Sequence, residues 1–366
     1  MTHAMPPLTD LALRRMRVEK AISALERNEQ IVVVNDLADR EICGFLVAGA
    51  AHVDAAAVAS VVRYSSGFVC VALSGDTCDR LDLPVMEGVD EKSGTGSHAC
   101  VTVDATTGTT TGISAHDRAR TAALLADPRA TRDDFTRPGH VVPVRTAEDG
   151  LRARQGIAEA ASFLSERSGR GSAALFAAAV GESVQTGLPH RAELEAFATA
   201  HRLSLVSISD VHLYMLAVTP VVNRESAARL LGQQVITYVG PTSQARHHVT
   251  VVGPTDTDAP VPLYVHPESV ETTDDPHGFE EVERAMVSSG SGIIIHVQAD
   301  REPDRRLDKL PFVVASILGD LGVHSVRLLN GDGPLRAVLR GREIELCDAP
   351  PIAAAARWDE RALHAS

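Results

Sequence analysis

Residues 109–121 read TTTGISAHDRART, and residues 137–145 read RPGHVVPVR. The first stretch joins a turn at Gly112 to a helix that Ser114 would cap, because serine is a favoured residue immediately before a helix. The free N–H groups at such a helix start attract anions. The second stretch combines an arginine, a glycine turn and a histidine, which we interpret as a second anion-facing loop. Together the two stretches predict a site for a phosphate group.

Helix and strand patterns alternate on both sides of these stretches. Apolar residues at helical spacing predict a helix at 10–28, and short apolar runs predict strands at 31–34 and 67–73. Asp54 is the expected N-cap of a helix at 54–63. Alternating strands and helices are typical of an α/β domain. The same reasoning predicts strands at 100–105, 172–180 and 204–210, and helices at 114–127, 154–169 and 190–203.

A second unit is predicted to begin near residue 220. Its strand patterns indicate an open or antiparallel sheet, with helices that end at glycines. We therefore expect an α/β (α+β) protein with one domain at 10–217 and a smaller one at 223–350. The strands are expected at 236–240, 247–253, 261–266, 292–297, 325–331 and 342–348, and the helices at 278–290 and 309–322.

Composition and charge restrict the classes of partner. The chain has 366 residues, a net charge of −13 and five cysteines. The negative charge argues against binding to nucleic acid, although a small anion remains compatible with a local basic pocket. The cysteines form no CxxC pair and no metal-like spacing, which suggests free thiols in a reducing cytoplasm. No signal peptide or membrane-spanning run is apparent. We expect a cytoplasmic protein without a nucleic-acid or membrane partner.

Several short stretches in register resemble 3,4-dihydroxy-2-butanone 4-phosphate synthase of riboflavin biosynthesis. They are DREICG (39–44), SSGFVC (65–70), LDLPVM (81–86) and the two stretches quoted above. The resemblance implies a three-layer α/β domain that converts ribulose 5-phosphate into the butanone phosphate and formate with Mg²⁺. It also implies a homodimer with active sites at the subunit interface.

The resemblance also implies which residues hold the sugar phosphate. Residues on the helix start, on the RPGH stretch and in the DRE run would bind the phosphate and the hydroxyl groups. The alternative is that the arginines form surface ion pairs and that the serine is only a helix cap. The residues in question are Arg40, Ser114, Asp117, Arg118, Thr121, Arg137, Gly139 and His140.

The acidic, metal-binding segment departs from the family pattern. Family members carry a run that resembles DREN-E-G-D, whereas this chain reads DREICGF. Glu41 remains, but Ile42, Cys43 and Phe45 stand where the pattern has an asparagine and two acids. A divalent cation such as Mg²⁺ prefers oxygen ligands, which isoleucine and phenylalanine cannot supply. We expect at most a weakened Mg²⁺ site on Glu41.

Two further positions differ in the same sense. The stretch RQGIAEA (154–160) has Ile157 where the similar family run RGGHTEA has a metal-binding histidine. Ala178 stands where the resemblance implies a catalytic glutamate. General acid–base catalysis alone contributes about 10²–10⁴-fold to a rate, so we expect no meaningful synthase activity.

Some reactive side chains remain that could support another reaction. A thiol and an imidazole can form a nucleophile–base pair, although an inert buried thiol is the commoner state of cysteine. The candidate catalytic residues are Glu41, Cys43, Cys70, His98 and Glu159.

The rest of the chain more faintly resembles GTP cyclohydrolase II, through VPLYVHPES (261–269), GSGIIIHV (290–297) and LGVHSVRLLN (321–330). That family holds Zn²⁺ with three cysteines in segments that resemble HSEC and CDCG. Here the equivalent positions carry Ser269, Asp275 and His277, and zinc sites favour thiolate or imidazole ligands. We expect no zinc and no cyclohydrolase activity.

Three functions are compatible with this pattern. The first is a divergent paralogue that binds a pentose or related sugar phosphate and acts on it as a lyase or isomerase. The second is an inactive pseudoenzyme that binds a metabolite or supports an active paralogue. The third is a slow synthase that uses Glu41 as its main metal ligand.

Overall fold

A computed structural model gives the architecture of two compact units, one formed by residues 14–214 and the other by residues 1–13 and 215–366. We call them the N-terminal and the C-terminal unit. Each contains a seven-stranded sheet with helices, which confirms the predicted α/β class. The structure describes residues 8–37, 43–86, 98–181, 189–230, 232–240, 245–257, 259–268, 276–298, 309–331 and 333–347.

The sheet of the N-terminal unit is mixed. Its strand order is β4-β5-β3-β6-β2-β1-β7, with β1–β7 and β3–β5 parallel and the other neighbours antiparallel. The strands are β1 (Ile31–Asn35), β2 (Cys43–Gly49), β3 (Cys70–Leu73), β4 (Val103–Ala105), β5 (Phe135–Arg145), β6 (Ala174–Ala178) and β7 (Ser204–Ser207). The helices of this part of the chain are α1 (Leu8–Glu26), α2 (Ala55–Tyr64), α3 (Gly75–Arg80), α4 (Ala115–Leu125), α5 (Ile157–Arg167), α6 (Arg191–Ala200) and α7 (Ile208–Val218).

Apolar residues on both faces of this sheet account for its layers. All four residues of the IVVV run in β1 are buried, and successive side chains of a strand point to opposite faces. Val32 and Val34 belong to a core that includes side chains of α2, α4 and α6. The opposite face packs against α5. Each fully buried valine or leucine contributes about 1.5–3 kcal/mol relative to an exposed one, so both helix layers are held mainly by apolar burial.

The two helix starts predicted from single residues are confirmed. The Asp54 carboxylate accepts a hydrogen bond from the N–H of Ala57, and the Ser114 hydroxyl accepts one from the N–H of Asp117. Each side chain satisfies a backbone donor that has no partner within its own helix. The cap at Ser114 fixes where α4 begins and therefore where its free N–H groups point.

The RPGHVVPVR stretch differs from the predicted loop, because it lies within strand β5. Its pairing with β4 is interrupted: Val103 is opposite Val141, whereas the next residue, Asp104, is opposite Thr136. Residues 137–140 therefore have no partner in β4: they lie between the β5 partners of two consecutive β4 residues, as in a bulge. A proline, which has no N–H, interrupts no hydrogen bond of the ladder at this position. The strand continues through a stretch that its proline and glycine made us interpret as a loop.

The C-terminal unit has the strand order β14-β13-β11-β12-β10-β9-β8. The sheet is open, which is one of the two predicted alternatives. The antiparallel alternative holds only for β8, β9, β10 and β12, because β12, β11, β13 and β14 run parallel. The elements are β8 (Asn223–Leu230), β9 (Gln233–Val239), β10 (Arg246–Val252), β11 (Val261–Glu268), α8 (Pro276–Ser289), β12 (Gly292–Gln298), α9 (Leu310–Asp320), β13 (Ser325–Leu328), α10 (Gly333–Gly341) and β14 (Glu345–Cys347).

The boundary between the two units falls between Tyr214 and Met215. The assignment of 10–217 and 223–350 as two functional domains stays a prediction. Over the described ranges, no helix is both long enough and apolar enough to cross a membrane.

Candidate active site

Three of the family-like stretches meet around the start of α4. The guanidinium of Arg118, on the first turns of α4, donates from Nη1 to the carbonyl of Gly67 at 2.8 Å. Gly112, just before α4, lies so close to Asp104 and His140 that a Cβ at this position would overlap the Asp104 carboxylate. The SSGFVC, TTTGISAHDRART and RPGH stretches therefore form one site in the N-terminal unit.

Asp117 holds the turn that leads into α4. Its Oδ2 accepts hydrogen bonds from the Thr110 hydroxyl at 2.8 Å and from the N–H of Gly112 at 3.1 Å. Hydrogen bonds lower the pKa of Asp117 to about 2, and the bond from the Thr110 hydroxyl makes the largest contribution. The side chain is fully buried. These contacts favour a structural role for Asp117 over contact with a sugar.

Thr121 is buried one turn further along α4. Its hydroxyl accepts a hydrogen bond from the N–H of Ala105 at 3.0 Å and donates one to the carbonyl of Asp117 at 2.9 Å. Its side chain has no exposed surface. Thr121 links α4 to β4. Its hydroxyl, which we expected to contact the ligand, forms both of these hydrogen bonds within the protein.

Asp104 and His140 form a close pair that the sequence analysis did not identify. The Nδ1 atom of His140 lies 2.6 Å from Oδ2 of Asp104, and the N–H of His140 donates to Oδ1 at 2.9 Å. The aspartate side chain is 11% exposed and the histidine side chain 38%. Residues 101–105 read VTVDA, which indicates only an alternating strand, and nothing local indicates that its aspartate meets a histidine 36 residues later.

Gly139 brings the RPGH stretch against β4. Its N–H donates to the Thr102 hydroxyl at 3.1 Å, and a Cβ at this position would overlap the backbone of Val103 and Asp104. Only a residue without a side chain permits this approach. Gly139 is needed for the geometry of the Asp104–His140 pair, while its N–H already has a partner.

The two arginines predicted to bind phosphate have different surroundings. Arg137 donates from Nη1 to the carbonyls of Arg132 and Phe135 and from Nη2 to that of Leu81 at 2.7 Å. Arg118 uses only Nη1 on the described residues, and its Nε is buried without a hydrogen-bond partner among them. Nε of Arg137 is likewise buried without a partner among the described residues, so the two arginines differ in their terminal nitrogens. Nη2 of Arg118 has no described partner and is left for an anion, whereas both terminal nitrogens of Arg137 bind backbone carbonyls.

Cys70 lies at the start of β3, beside the site but buried. Its thiol contacts the carbonyl of Phe68 at 3.8 Å. Burial raises the pKa of this thiol to about 12. The nucleophilic form of cysteine is the thiolate, so Cys70 in this environment is unsuited to the role of a nucleophile.

The backbone positions of Cys43 and His98 do not support the predicted thiol–imidazole pair. The carbonyl of His98 accepts from the N–H of Arg145, beyond the outer edge of β5. Cys43 begins β2, and strands β5, β3 and β6 lie between the two positions. Arg145, the β5 residue that binds the carbonyl of His98, is five residues along the strand from His140, a distance of about 16 Å at the usual rise per residue.

Glu159 is buried on α5 and paired with Arg154. Nε of Arg154 donates to Oε1 of Glu159 at 2.8 Å, and the same carboxylate accepts from the N–H of Ala147 at 3.1 Å. Arg154 also donates to the carbonyl of Arg145 at 2.8 Å. These bonds fix the segment between β5 and α5, which favours a structural role for Glu159 over that of a base.

Two positions to which the resemblance assigns metal binding and acid–base chemistry hold apolar residues. Ile157 is the first residue of α5, and Ala178 is the last residue of β6, opposite Phe45 of β2. None of these side chains offers a ligand atom, and the described residues contain no cluster of three or more His, Cys, Asp or Glu side chains that could hold a metal ion. Arg40 and Glu41 lie outside the described residues. The expectation of at most a weakened Mg²⁺ site on Glu41 therefore stays a prediction.

The corresponding region of the C-terminal unit is only partly described. His266 lies on β11 beside His296 of β12, with ring centres 5.4 Å apart. Ser269, Asp275 and the side chain of His277 lie outside the described residues. The expectation that no zinc binds here stays a prediction.

Comparisons with known proteins agree with the sequence motifs. A family model described as 3,4-dihydroxy-2-butanone 4-phosphate synthase matches residues 19–214. The riboflavin biosynthesis protein RibBA of Mycobacterium tuberculosis is 33% identical over 92% of this chain and 88% of its own length. RibBA of Salinispora tropica is 33% identical over 88% of this chain and 90% of its own.

A solved structure extends the likeness to both units. The crystal structure of RibBX, a two-domain 3,4-dihydroxy-2-butanone 4-phosphate synthase from A. baumannii, covers 91% of this chain and 99% of its own. Its sequence identity is 25% and its TM-score is 0.67. The likeness therefore includes the second α/β domain as well as the synthase-like one.

Proposed function

Because the chain belongs to the 3,4-dihydroxy-2-butanone 4-phosphate synthase family, we propose that its N-terminal unit binds a pentose phosphate or a related sugar phosphate and acts on it as a lyase or isomerase. Family members bind a sugar phosphate, and the relatives found are riboflavin biosynthesis proteins. The site at the start of α4 is the place where we expect the ligand.

One observation carries this proposal: the site keeps donors that its own fold does not use. Nε and Nη2 of Arg118 have no hydrogen-bond partner among the described residues, and Arg118 lies on the helix that Ser114 caps. A phosphate is a suitable acceptor, because arginine and the free N–H groups of a helix start both bind anions. His140 exposes part of its ring in the same site. We assign phosphate binding to Arg118 and the start of α4, with His140 toward the sugar.

The proposed chemistry begins with proton transfer. A lyase or isomerase acting on a ketose phosphate first removes a proton from the carbon beside the carbonyl, and the released electron pair forms an enediolate. An imidazole in reach of that carbon is a suitable base. His140 would take the proton and return it to a carbon or oxygen of the same intermediate. Ile157 and Ala178 cannot supply the metal ligand and carboxylate expected for the synthase reaction, so we propose that this reaction is absent.

The second candidate is a pseudoenzyme that binds a metabolite or supports an active paralogue. The internal bonds of Asp117, Thr121 and Arg137 favour it, because residues expected to contact substrate are engaged within the protein. We also propose that the C-terminal unit lacks GTP cyclohydrolase II activity, given Ser269, Asp275 and His277 at the positions of the zinc cysteines.

Family likeness further supports a cytoplasmic homodimer. The five cysteines without metal-like spacing are consistent with a reducing compartment. Sedimentation velocity of the full chain measures the oligomeric state, and a monomer at micromolar concentration would contradict the dimer. Mixing the chain with an active paralogue in the same experiment tests the supporting role.

Calorimetric titration tests the proposed binding site. Ribulose 5-phosphate and inorganic phosphate are titrated separately into the full chain, its R118Q variant and the matched R129Q variant, which removes an exposed arginine of the same unit. We expect R118Q to weaken the binding of ribulose 5-phosphate at least tenfold, because it removes a charged donor to phosphate. R129Q should bind as the unsubstituted protein does. Equal affinity of R118Q and R129Q would overturn the assignment.

A further inference from the structure

The Asp104–His140 pair has an arrangement that fixes the orientation of the imidazole. One carboxylate oxygen of Asp104 accepts the backbone N–H of His140 and the other lies 2.6 Å from its Nδ1. The aspartate thus binds the backbone and the ring of one residue, so neither can rotate without breaking a bond. The carboxylate is largely buried, which strengthens such charge-assisted bonds.

The surroundings of the pair hold it in place. Gly112 packs against the carboxylate and against Nδ1, and Gly139 packs against the backbone of Asp104. The carbonyl of Asp104 also accepts the Thr136 hydroxyl at 3.3 Å. A surface ion pair would lack these supports, since exposed pairs are free to exchange partners with water. Two glycines of the family-like stretches thus bring the aspartate to the histidine.

The chemistry of the two groups decides which ring nitrogen carries the proton. An ionised carboxylate only accepts hydrogen bonds, so Nδ1 of His140 must be the donor. In the neutral ring this leaves Nε2 with its lone pair, and Nε2 has no hydrogen-bond partner in the part of the chain that the structure describes. The His140 side chain as a whole is 38% exposed, so part of the ring is accessible to a ligand.

We infer that Asp104 is a positioning residue that keeps Nδ1 of His140 as the hydrogen-bond donor to its carboxylate, with Nε2 directed toward the sugar-phosphate site as the proton acceptor. The catalytic part of this inference rests on the proposed function. In it, the proton leaves the carbon beside the carbonyl of the sugar phosphate and binds Nε2, while its electron pair enters the enediolate. Asp104 stays ionised and stabilises the imidazolium that forms.

An asparagine at position 104 is the sharpest variant. The amide oxygen of D104N can still accept the backbone N–H of His140, and its NH₂ group then faces Nδ1 as a donor. Nδ1 must accept this bond, so the proton of the neutral ring moves to Nε2. The variant retains a similar side-chain volume and reverses the tautomer. A comparable reversal in serine proteases lowers kcat about 10⁴-fold.

Nitrogen-15 NMR of histidine-labelled full-length protein tests the inference without any ligand. The H140Q variant identifies the His140 signals, and D134N removes a carboxylate that binds Thr131 away from the pair. At a pH where His140 is neutral, we expect Nδ1–H in the unsubstituted protein and in D134N, and Nε2–H in D104N. Thermal unfolding shows whether D104N is folded.

Two results would overturn the inference: the Nε2–H form in the unsubstituted protein, or an unchanged tautomer in folded D104N. If D104N fails to fold, the tautomer of the unsubstituted protein decides by itself. Because no sugar phosphate is present, this outcome is independent of the proposed function. An Nδ1–H tautomer with no binding of ribulose 5-phosphate would remove the proposed function and leave the positioning by Asp104 intact.

Discussion

Residues of one chemical type have different roles in this site. Both terminal nitrogens of Arg137 donate to backbone carbonyls, including that of Leu81 at 2.7 Å, whereas Arg118 donates from one nitrogen to the carbonyl of Gly67. The sequence placed both in family-like stretches and could not distinguish them, because their difference lies in what surrounds them. Asp104 was missed for the same reason, since its partner is far away in sequence.

The two arginines should differ in their effects on stability and binding. R137Q leaves several carbonyl oxygens without a donor, and a buried unsatisfied group costs about 1–3 kcal/mol. R118Q loses one bond to the protein, which is worth about 0.5–1.5 kcal/mol. We expect urea unfolding to show the larger loss of stability for R137Q, and calorimetry to show the larger loss of affinity for R118Q. The reverse pattern would indicate that Arg137, and not Arg118, binds the phosphate.

At the scale of elements, the turn before α4 is held by side-chain hydrogen bonds. Asp117, Thr110 and Ser114 connect the turn to the first turn of the helix. Ser114 was predicted as a cap because capping depends on a residue and its immediate neighbours. The RPGH segment was misjudged as a loop because its strand pairing depends on β4, which is interrupted between Val103 and Asp104.

The carboxylate of Asp117 gives this turn a dependence on pH. Its pKa is lowered from an ordinary value near 3.8 to about 2 in the folded protein. A group with a lowered folded pKa stabilises the fold fully above the unfolded pKa and loses that contribution as pH falls through the folded one. We expect the stability difference between the unsubstituted protein and D117N to decrease from pH 5 to pH 2.

Urea unfolding at several pH values measures this difference. D133N serves as the control, because Asp133 is an exposed carboxylate of the same unit. Its difference from the unsubstituted protein should change less over this range. If the two variants behave alike between pH 5 and pH 2, the bonds from Thr110 and Gly112 do not stabilise the ionised form of Asp117.

At the scale of the whole molecule, the chain has the architecture of its family, whereas its candidate site matches the family pattern at some positions and departs from it at others. The α/β class followed from alternating patterns, and the likeness to RibBX covers both domains. The parallel half of the second sheet was not predicted, because short apolar strands do not reveal the direction of their neighbours. We propose that the start of α4 keeps the groups that bind an anion, whereas Ile157 and Ala178 stand at positions where metal and acid–base chemistry was expected.

The most direct test of this account is to incubate the full chain with ¹³C-labelled ribulose 5-phosphate and Mg²⁺ and to follow the mixture by NMR. We predict that the sugar phosphate binds and that no formate or butanone phosphate appears. Broadened or shifted ribulose 5-phosphate signals without formate would support a site that keeps its phosphate end. Formate released in proportion to enzyme and time would contradict it, because the groups retained here would then suffice for the synthase reaction.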